Sequence, residues 1–182
     1  MRRSLIPAVF GVVLLTCASS TTAIAAVGAR DTIPPALAPL GAEHDNLRAS
    51  FGVILRRATA PAATRTERLA LVTFLRNTLI PHAQSEERVL YPALDSLLGT
   101  RGYATATMVL DHRAIANRTV ELVSLVDADP TVFQQKAVAV AALVDHHFAN
   151  EEEFVLPTLA RKMTDRALRA LLQRMNAPYT LP

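Results

Sequence analysis

The chain has no tryptophan, one cysteine and six glycines among 182 residues, and only 5% of it is aromatic. Sandwiches and barrels draw heavily on aromatic and turn-forming residues, so their scarcity argues for helices built from the abundant Ala, Leu and Val. A lone cysteine, Cys17, excludes an intramolecular disulfide. The apolar stretch Leu5–Leu15 is too short to span a bilayer, and no transmembrane helix is expected in the mature chain. A strong charge of one sign is missing as well. The net charge is +3, and Arg2 and Arg3 account for two of the 19 basic residues, so the remainder is close to neutral against 16 acids. Its positive charges are scattered, which leaves no footprint for nucleic acid. No nucleophile motif, phosphate loop or fused signalling domain is visible.

What is present begins with an export signal. Arg2 and Arg3, the apolar run and the small residues ending in "AIAA" have the layout of a secretory signal peptide over residues 1–25, with Ala23 and Ala25 before the cut. The protein is therefore expected to be exported, to a periplasm or beyond, and its mature form to lack cysteine and hence thiolate metal ligands. "RRSLI" carries the paired arginines of a twin-arginine signal. "LLTC", ending at Cys17, is similar to a lipoprotein processing box and gives lipid anchoring as a minor alternative. Residues 26–35, with Gly28, Pro34 and Pro35, read as a flexible lead-in.

Four helical patterns follow. Leu37, Leu40, His44, Leu47, Phe51 and Ile54 recur at three and four over residues 36–59. Thr64 and Glu67 are spaced as a capping box for a second helix that ends before Gly99. Its face runs Leu71, Leu75, Leu79, His82, Glu86, Val89 and Leu90, with a bend expected at Pro81. Met108, His112, Ile115, Thr119, Leu122 and Val126 share a face over residues 103–127. Asp129 and Pro130 open a fourth helix whose face runs Phe133, Ala137, Val140, Val144, His147, Glu151, Phe154 and Val155. A shorter amphipathic segment follows at 163–175, within a C-terminal helix and tail at 161–182. Short connections make neighbours antiparallel. The predicted fold is all-α: an up-down-up-down four-helix bundle over residues 36–160 with a short extra C-terminal helix.

Each of the four helices places one histidine in its apolar face: His44, His82, His112 and His147. The fifth, His146, is turned about 100° away from its neighbour. A single core histidine is ordinarily a packed one, but one per helix is a pattern. His82 and His147 each carry a glutamate four residues on, Glu86 and Glu151, which stacks imidazole and carboxylate on one helical face. "HAQSEERVLYP" and "HFANEEEFVLP" repeat that unit, and each is preceded by a helix with a lone histidine. Buried carboxylates need partners. The converging stripes supply four nitrogens and two carboxylates for two metals, and each carboxylate can bridge the pair. Glu87, Glu152 and Glu153 read as solvated. Imidazole and carboxylate without thiolate suits iron or manganese and permits zinc.

These motifs, with "EERVLYP" and "EEEFVLP" trailing the two His-x-x-x-Glu units, resemble the hemerythrin-like family in its HHE cation-binding form. The resemblance spans residues 36–160. It implies two iron ions in a non-haem di-iron centre, with His44, His82, Glu86, His112, His147 and Glu151 as ligands. Oxygen-carrying members have a second histidine one turn after the third-helix one, and Ala116 stands there in this chain. The resemblance therefore points to the broader HHE group, linked to oxygen or nitric oxide sensing, iron handling and repair of iron centres.

Three functions remain to be weighed. The first is an exported di-iron protein that binds oxygen or nitric oxide, or handles iron. The second is a di-iron enzyme reducing peroxide, oxygen or nitric oxide, which needs a proton donor or electron route near the metals. The third is a helical bundle with a metal-free polar core, which half-satisfied buried networks disfavour.

Overall fold

The computed structural model describes residues 34–177. The expected signal peptide, nearly all of the expected lead-in and the last residues of the tail lie outside the described residues. Among those described there are helices and no strands. They form helical rods: α1 (Ala38–Ala58), α2 (65–98), α3 (Ala106–Leu125), α4 (130–162) and α5 (Asp165–Met175). The two longest rods each contain π-helical turns without leaving the helix.

The ends are set by the residues that sequence reasoning picked. The Glu67 amide donates to the Thr64 hydroxyl and the Thr64 amide donates back to the Glu67 carboxylate, closing a capping box at the head of α2. Gly99, at φ +68°, ends the same rod in the left-handed conformation that costs glycine little. The Asp129 carboxylate accepts from the Thr131 amide at 2.7 Å, and Pro130 opens α4.

α1 packs on α2 and α4, and α3 packs on the same two rods. The core is split into two apolar layers. One holds Leu47, Leu79, Ile115 and Val144; the other holds Leu40, Leu90, Met108 and Val155. On every long rod, the polar residues of interest fall between a member of one layer and a member of the other. Each buried Leu, Val or Phe contributes about 1.5–3 kcal/mol, so the polar layer is held between two strong apolar clamps. α5 lies against the second layer through Leu168, Leu171 and Met175.

Three π-turns stand out among the described residues: Leu75–Leu79, Glu86–Leu90 and Glu151–Val155. In each, the amide after the turn donates five residues back: Ile80 to Leu75, Tyr91 to Glu86, Leu156 to Glu151. A proline follows immediately: Pro81, Pro92 and Pro157. Proline cannot donate to the carbonyl four residues back and its ring crowds that carbonyl, so the widened turn absorbs the mismatch without breaking the rod. At Pro81, where a bend was expected, the helix runs on through a π-turn. The widened turn also shifts which residues face inward. After Glu151 the buried pair is Val155 and Leu156, and Phe154, predicted on the core face, is 41% exposed.

The connection after α2 is organised by Asp95, a buried carboxylate. It accepts from the Thr100 and Thr105 hydroxyls and from the Ala104 amide. Burial alone would raise its pKa, but these donors hold it below the usual aspartate value. Asp95→Ala should cost about 1–3 kcal/mol by leaving these donors without an acceptor. Thermal unfolding checks this. Because the folded pKa is depressed, the contribution is present above about pH 4 and lost on acidification, so the mutant and parent melts should converge at low pH.

Candidate metal centre

The six predicted ligands meet in one buried layer. His44, Glu86 and Glu151 are 0% exposed, and His82, His112 and His147 reach 8% at most. His146 lies on the surface and bonds to Asn150 instead.

Each of the other four histidines turns Nε2 inward. Glu86 Oε1 lies 3.0 Å from His82 Nε2 and 3.4 Å from His44 Nε2, while Glu86 Oε2 lies 3.5 Å from His112 Nε2. Glu151 Oε2 is 3.5 Å from His147 Nε2 and 3.7 Å from His44 Nε2. Two groups emerge that could each hold a cation: His44, His82 and Glu86; and Glu86, His112, His147 and Glu151. Within each group the donor atoms lie within 4.8 Å of one another. Glu86 belongs to both.

Tyr91 completes the layer. Its side chain is 2% exposed and its hydroxyl donates to Glu151 Oε1 at 2.6 Å, with His112 Nε2 at 3.2 Å. The π-turn from Glu86 explains the placement. In a regular helix the residue five positions on points well away, whereas the wider turn brings it back to the same side. Sequence periodicity at 3.6 misses this residue for that reason. In the other motif the same position is Leu156, so the two halves differ chemically here.

The charges divide unequally. Burial pulls His44 down, but the Glu152 and Glu86 carboxylates outweigh it and raise it to about 9. His82 is likewise raised to about 10 by Glu43 and Glu86 against burial. His112 is raised by Glu86 and Glu87 in the same way. His147 goes the other way, to about 3, because it is buried beside the charged His112. The two Nε2 atoms are 2.8 Å apart, which suits a protonated His112 donating to a neutral His147. Burial also raises both inner carboxyls, but three imidazoles bring Glu86 well below the usual range while Glu86 itself keeps Glu151 raised to about 8.

A second set of acids stands behind the histidines. His82 Nδ1 meets Glu43 Oε1 at 3.0 Å and His112 Nδ1 meets Glu87 Oε1 at 2.8 Å. His44 Nδ1 lies 3.4 Å from Glu152 and His147 Nδ1 lies 3.7 Å from Asp111, both beyond a good hydrogen bond. The pattern follows the sequence repeat. The acid before each lone histidine, Glu43 or Asp111, serves the histidine of the His-x-x-x-Glu motif. The second acid of each motif, Glu87 or Glu152, serves the lone histidine. Glu87 and Glu153 are exposed as expected, whereas Glu152 is part-buried; what the solvated reading missed is that Glu87 and Glu152 also face histidines. The doubled "EE" in both motifs and the acid–His dipeptides "EH" and "DH" were the signal that could have found them. A carboxylate on Nδ1 fixes the tautomer that leaves Nε2 free to bind a cation. Glu43→Gln and Glu87→Gln should each weaken metal affinity by about 10- to 100-fold, and Glu153→Gln should leave it unchanged. A competition titration against a chelator checks this.

The donor set fits a cation on grounds of its own. Glu86 Oε2 and Glu151 Oε2 are buried beside the histidine nitrogens and have no hydrogen-bond partner. Such orphaned atoms are costly unless something bonds to them. All donors are nitrogen or oxygen, which suits iron, manganese or zinc and excludes thiolate-selected metals.

Buried imidazoles and carboxylates converging inside a helical bundle define a cation-binding domain of the histidine–glutamate class. The chain belongs to the hemerythrin family: the hemerythrin HHE cation-binding domain matches it over residues 36–159. No curated protein matches the chain, and no solved structure does.

Proposed function

We propose that this chain is an exported hemerythrin-like protein that holds a non-haem di-iron centre and uses it to bind or sense oxygen or nitric oxide, or to handle iron. His44, His82, Glu86, His112, His147 and Glu151 are the proposed ligands. The observation that carries the reading is Glu86. One of its oxygens faces His44 and His82, and the other faces His112, so a single buried carboxylate is oriented toward both groups. Iron bound there would supply redox chemistry and a coordination position for a small ligand. The protein's own part is to orient the imidazoles through Nδ1, to exclude bulk water with the two apolar layers, and to hold a proton at Tyr91.

The same reading takes the four long rods as an up-down-up-down bundle. Its support is the order of the layers: Leu40 precedes His44 and Leu47 follows it, whereas on α2 the order is reversed, and α3 and α4 repeat the alternation. Export rests on the signal-like residues 1–25, with lipid anchoring through Cys17 as the lesser route.

The test is iron loading followed by metal analysis and optical spectroscopy of the reduced protein exposed to oxygen or nitric oxide. Two irons per chain, one for each group, and a spectral change on exposure are expected. Iron well below one per chain would sink the reading.

The enzyme reading is favoured by one observation, the Tyr91 hydroxyl 2.6 Å from Glu151 Oε1. A proton held there is within reach of a reacting oxygen at the centre. Multiple turnover of peroxide with a reductant, reduced about 10²- to 10⁴-fold in Tyr91→Phe at unchanged iron content, would support it. Binding without turnover in the parent protein would reject it.

A further inference from the structure

The two motifs differ at a second pair of positions. His147 is followed by Phe148, but His82 is followed by Ala83. One turn beyond the lone histidines stand Arg48 on α1 and Ala116 on α3. Where the large pair occurs, the space is filled. The Phe148 ring lies 4.6 Å from the His44 ring, and the Arg48 guanidinium sits over it at 4.9 Å while pairing with Glu152. Where the alanine pair occurs, between α2 and α3, a cavity of about 150 Å³ remains. Its lining is mostly apolar, with Leu79, Ile115, Val144 and Phe148, and Glu87 also stands in it. Its inner end is the polar layer itself, at His82, Glu86, His112 and His147. Gln84 and Arg113 stand at its lining as well.

We propose that this cavity seats a small neutral organic molecule: an apolar body of about benzene size with one oxygen donor, a hydroxyl or hydroperoxide, turned toward His112 and His147. Size and lining choose that class. An apolar cavity of ~150 Å³ takes benzene or xenon, whereas a molecule the size of water occupies only ~30 Å³ of liquid volume. A diatomic ligand leaves most of the space empty. A charged ligand loses its hydration against the apolar part of the lining. The role of the molecule as a ligand of the centre rests on the di-iron reading; its fit in the cavity does not.

Phenol is the probe, titrated into the full chain as purified. One saturable site is expected, with methyl resonances of Ala83, Ile115, Ala116 and Val144 shifting on binding. Ala83→Phe restores the residue of the other motif and Ala116→Phe closes the opposite wall. Each should weaken phenol by about tenfold or more by filling the space. No saturable binding to the parent protein, shifts confined to other methyl groups, or unchanged affinity in a folded phenylalanine variant would overturn the proposal. The methyl shifts decide it on the parent protein alone if neither variant folds. Iron analysis of the same samples separates the two readings. Phenol binding without iron leaves the cavity and sinks the centre, and iron without phenol binding does the reverse.

Discussion

Glu86→Ala should empty both proposed metal positions at once, whereas His82→Ala should weaken only the first and His147→Ala only the second. The asymmetry follows from the geometry. Each histidine belongs to one group, but Glu86 belongs to both. Its loss also reaches the metal-free chain. Glu86 is a main reason His44, His82 and His112 carry raised pKa values in a buried layer. Removing one partner of a buried charge pair costs about 3–5 kcal/mol, because the remaining charge has no compensation. Glu86→Gln separates the two effects. It keeps the volume and one oxygen but cannot serve two cations as a carboxylate can, so metal should be lost with a smaller drop in melting temperature. Metal analysis and thermal unfolding of the same samples check both. A Glu86→Ala protein that retains two metals with parental affinity would remove Glu86 from the centre.

The long-range outline was legible because it obeys simple rules. Apolar residues at three and four, a Thr–x–x–Glu box and an Asp–Pro start are local signals, and the structure honours them at Thr64, Glu67, Asp129 and Gly99. The histidines stood out for a related reason. An imidazole in an apolar stripe is buried wherever the stripe is buried, and all four are. What stayed hidden depends on departures from the regular helix. Phe154 was misplaced and Tyr91 left off the inward face, because the π-turns that start at Glu151 and Glu86 rotate that face by one residue. The prolines that accompany these turns were visible in the repeat, but proline alone suggests a bend or a stop.

The outer acids were hidden by a different effect. Glu87 and Glu152 follow the inner glutamates by one residue, which on a helix points them about 100° away and toward solvent. Burial on their own rod is therefore partial, and nothing local marks them. Their partners come from other rods: Glu87 from α2 serves His112 on α3, and Glu152 from α4 serves His44 on α1. Contacts between rods are the information that a periodic reading of one helix does not contain. The repeat compensates in part, since two motifs that share a feature through a common geometry share its neighbours too.

Raising the pH should weaken the metal-free protein and strengthen metal binding over the same range. His44 and His82 have folded pKa values near 9 and 10, above the usual histidine value of 6.5. The stability they contribute is fully present below 6.5 and lost as pH rises through those values. Glu151, raised to about 8 by burial and by Glu86, acts in the same direction, its contribution being present below its usual 4.5 and fading as pH climbs through 8. His147, lowered to about 3, has the opposite sign: it is buried neutral, and its cost appears as pH falls below 6.5. Between 4.5 and 6.5 the His147 cost and the Glu151 gain nearly cancel, so the fall begins above 6.5. One pKa unit is about 1.36 kcal/mol, so two histidines acting over about two pH units each amount to about 5 kcal/mol, and from about pH 6 to about pH 8.5 the metal-free melting temperature should drop by on the order of 10–20 °C. Metal binding runs against this because the same protons must leave Nε2 before a cation can bind. The stabilisation by metal, read as the difference between melts with and without chelator, should therefore widen as pH rises. A metal-free protein that melts higher at about pH 8.5 than at about pH 6 would show that His44 and His82 are not held protonated by Glu86, Glu43 and Glu152.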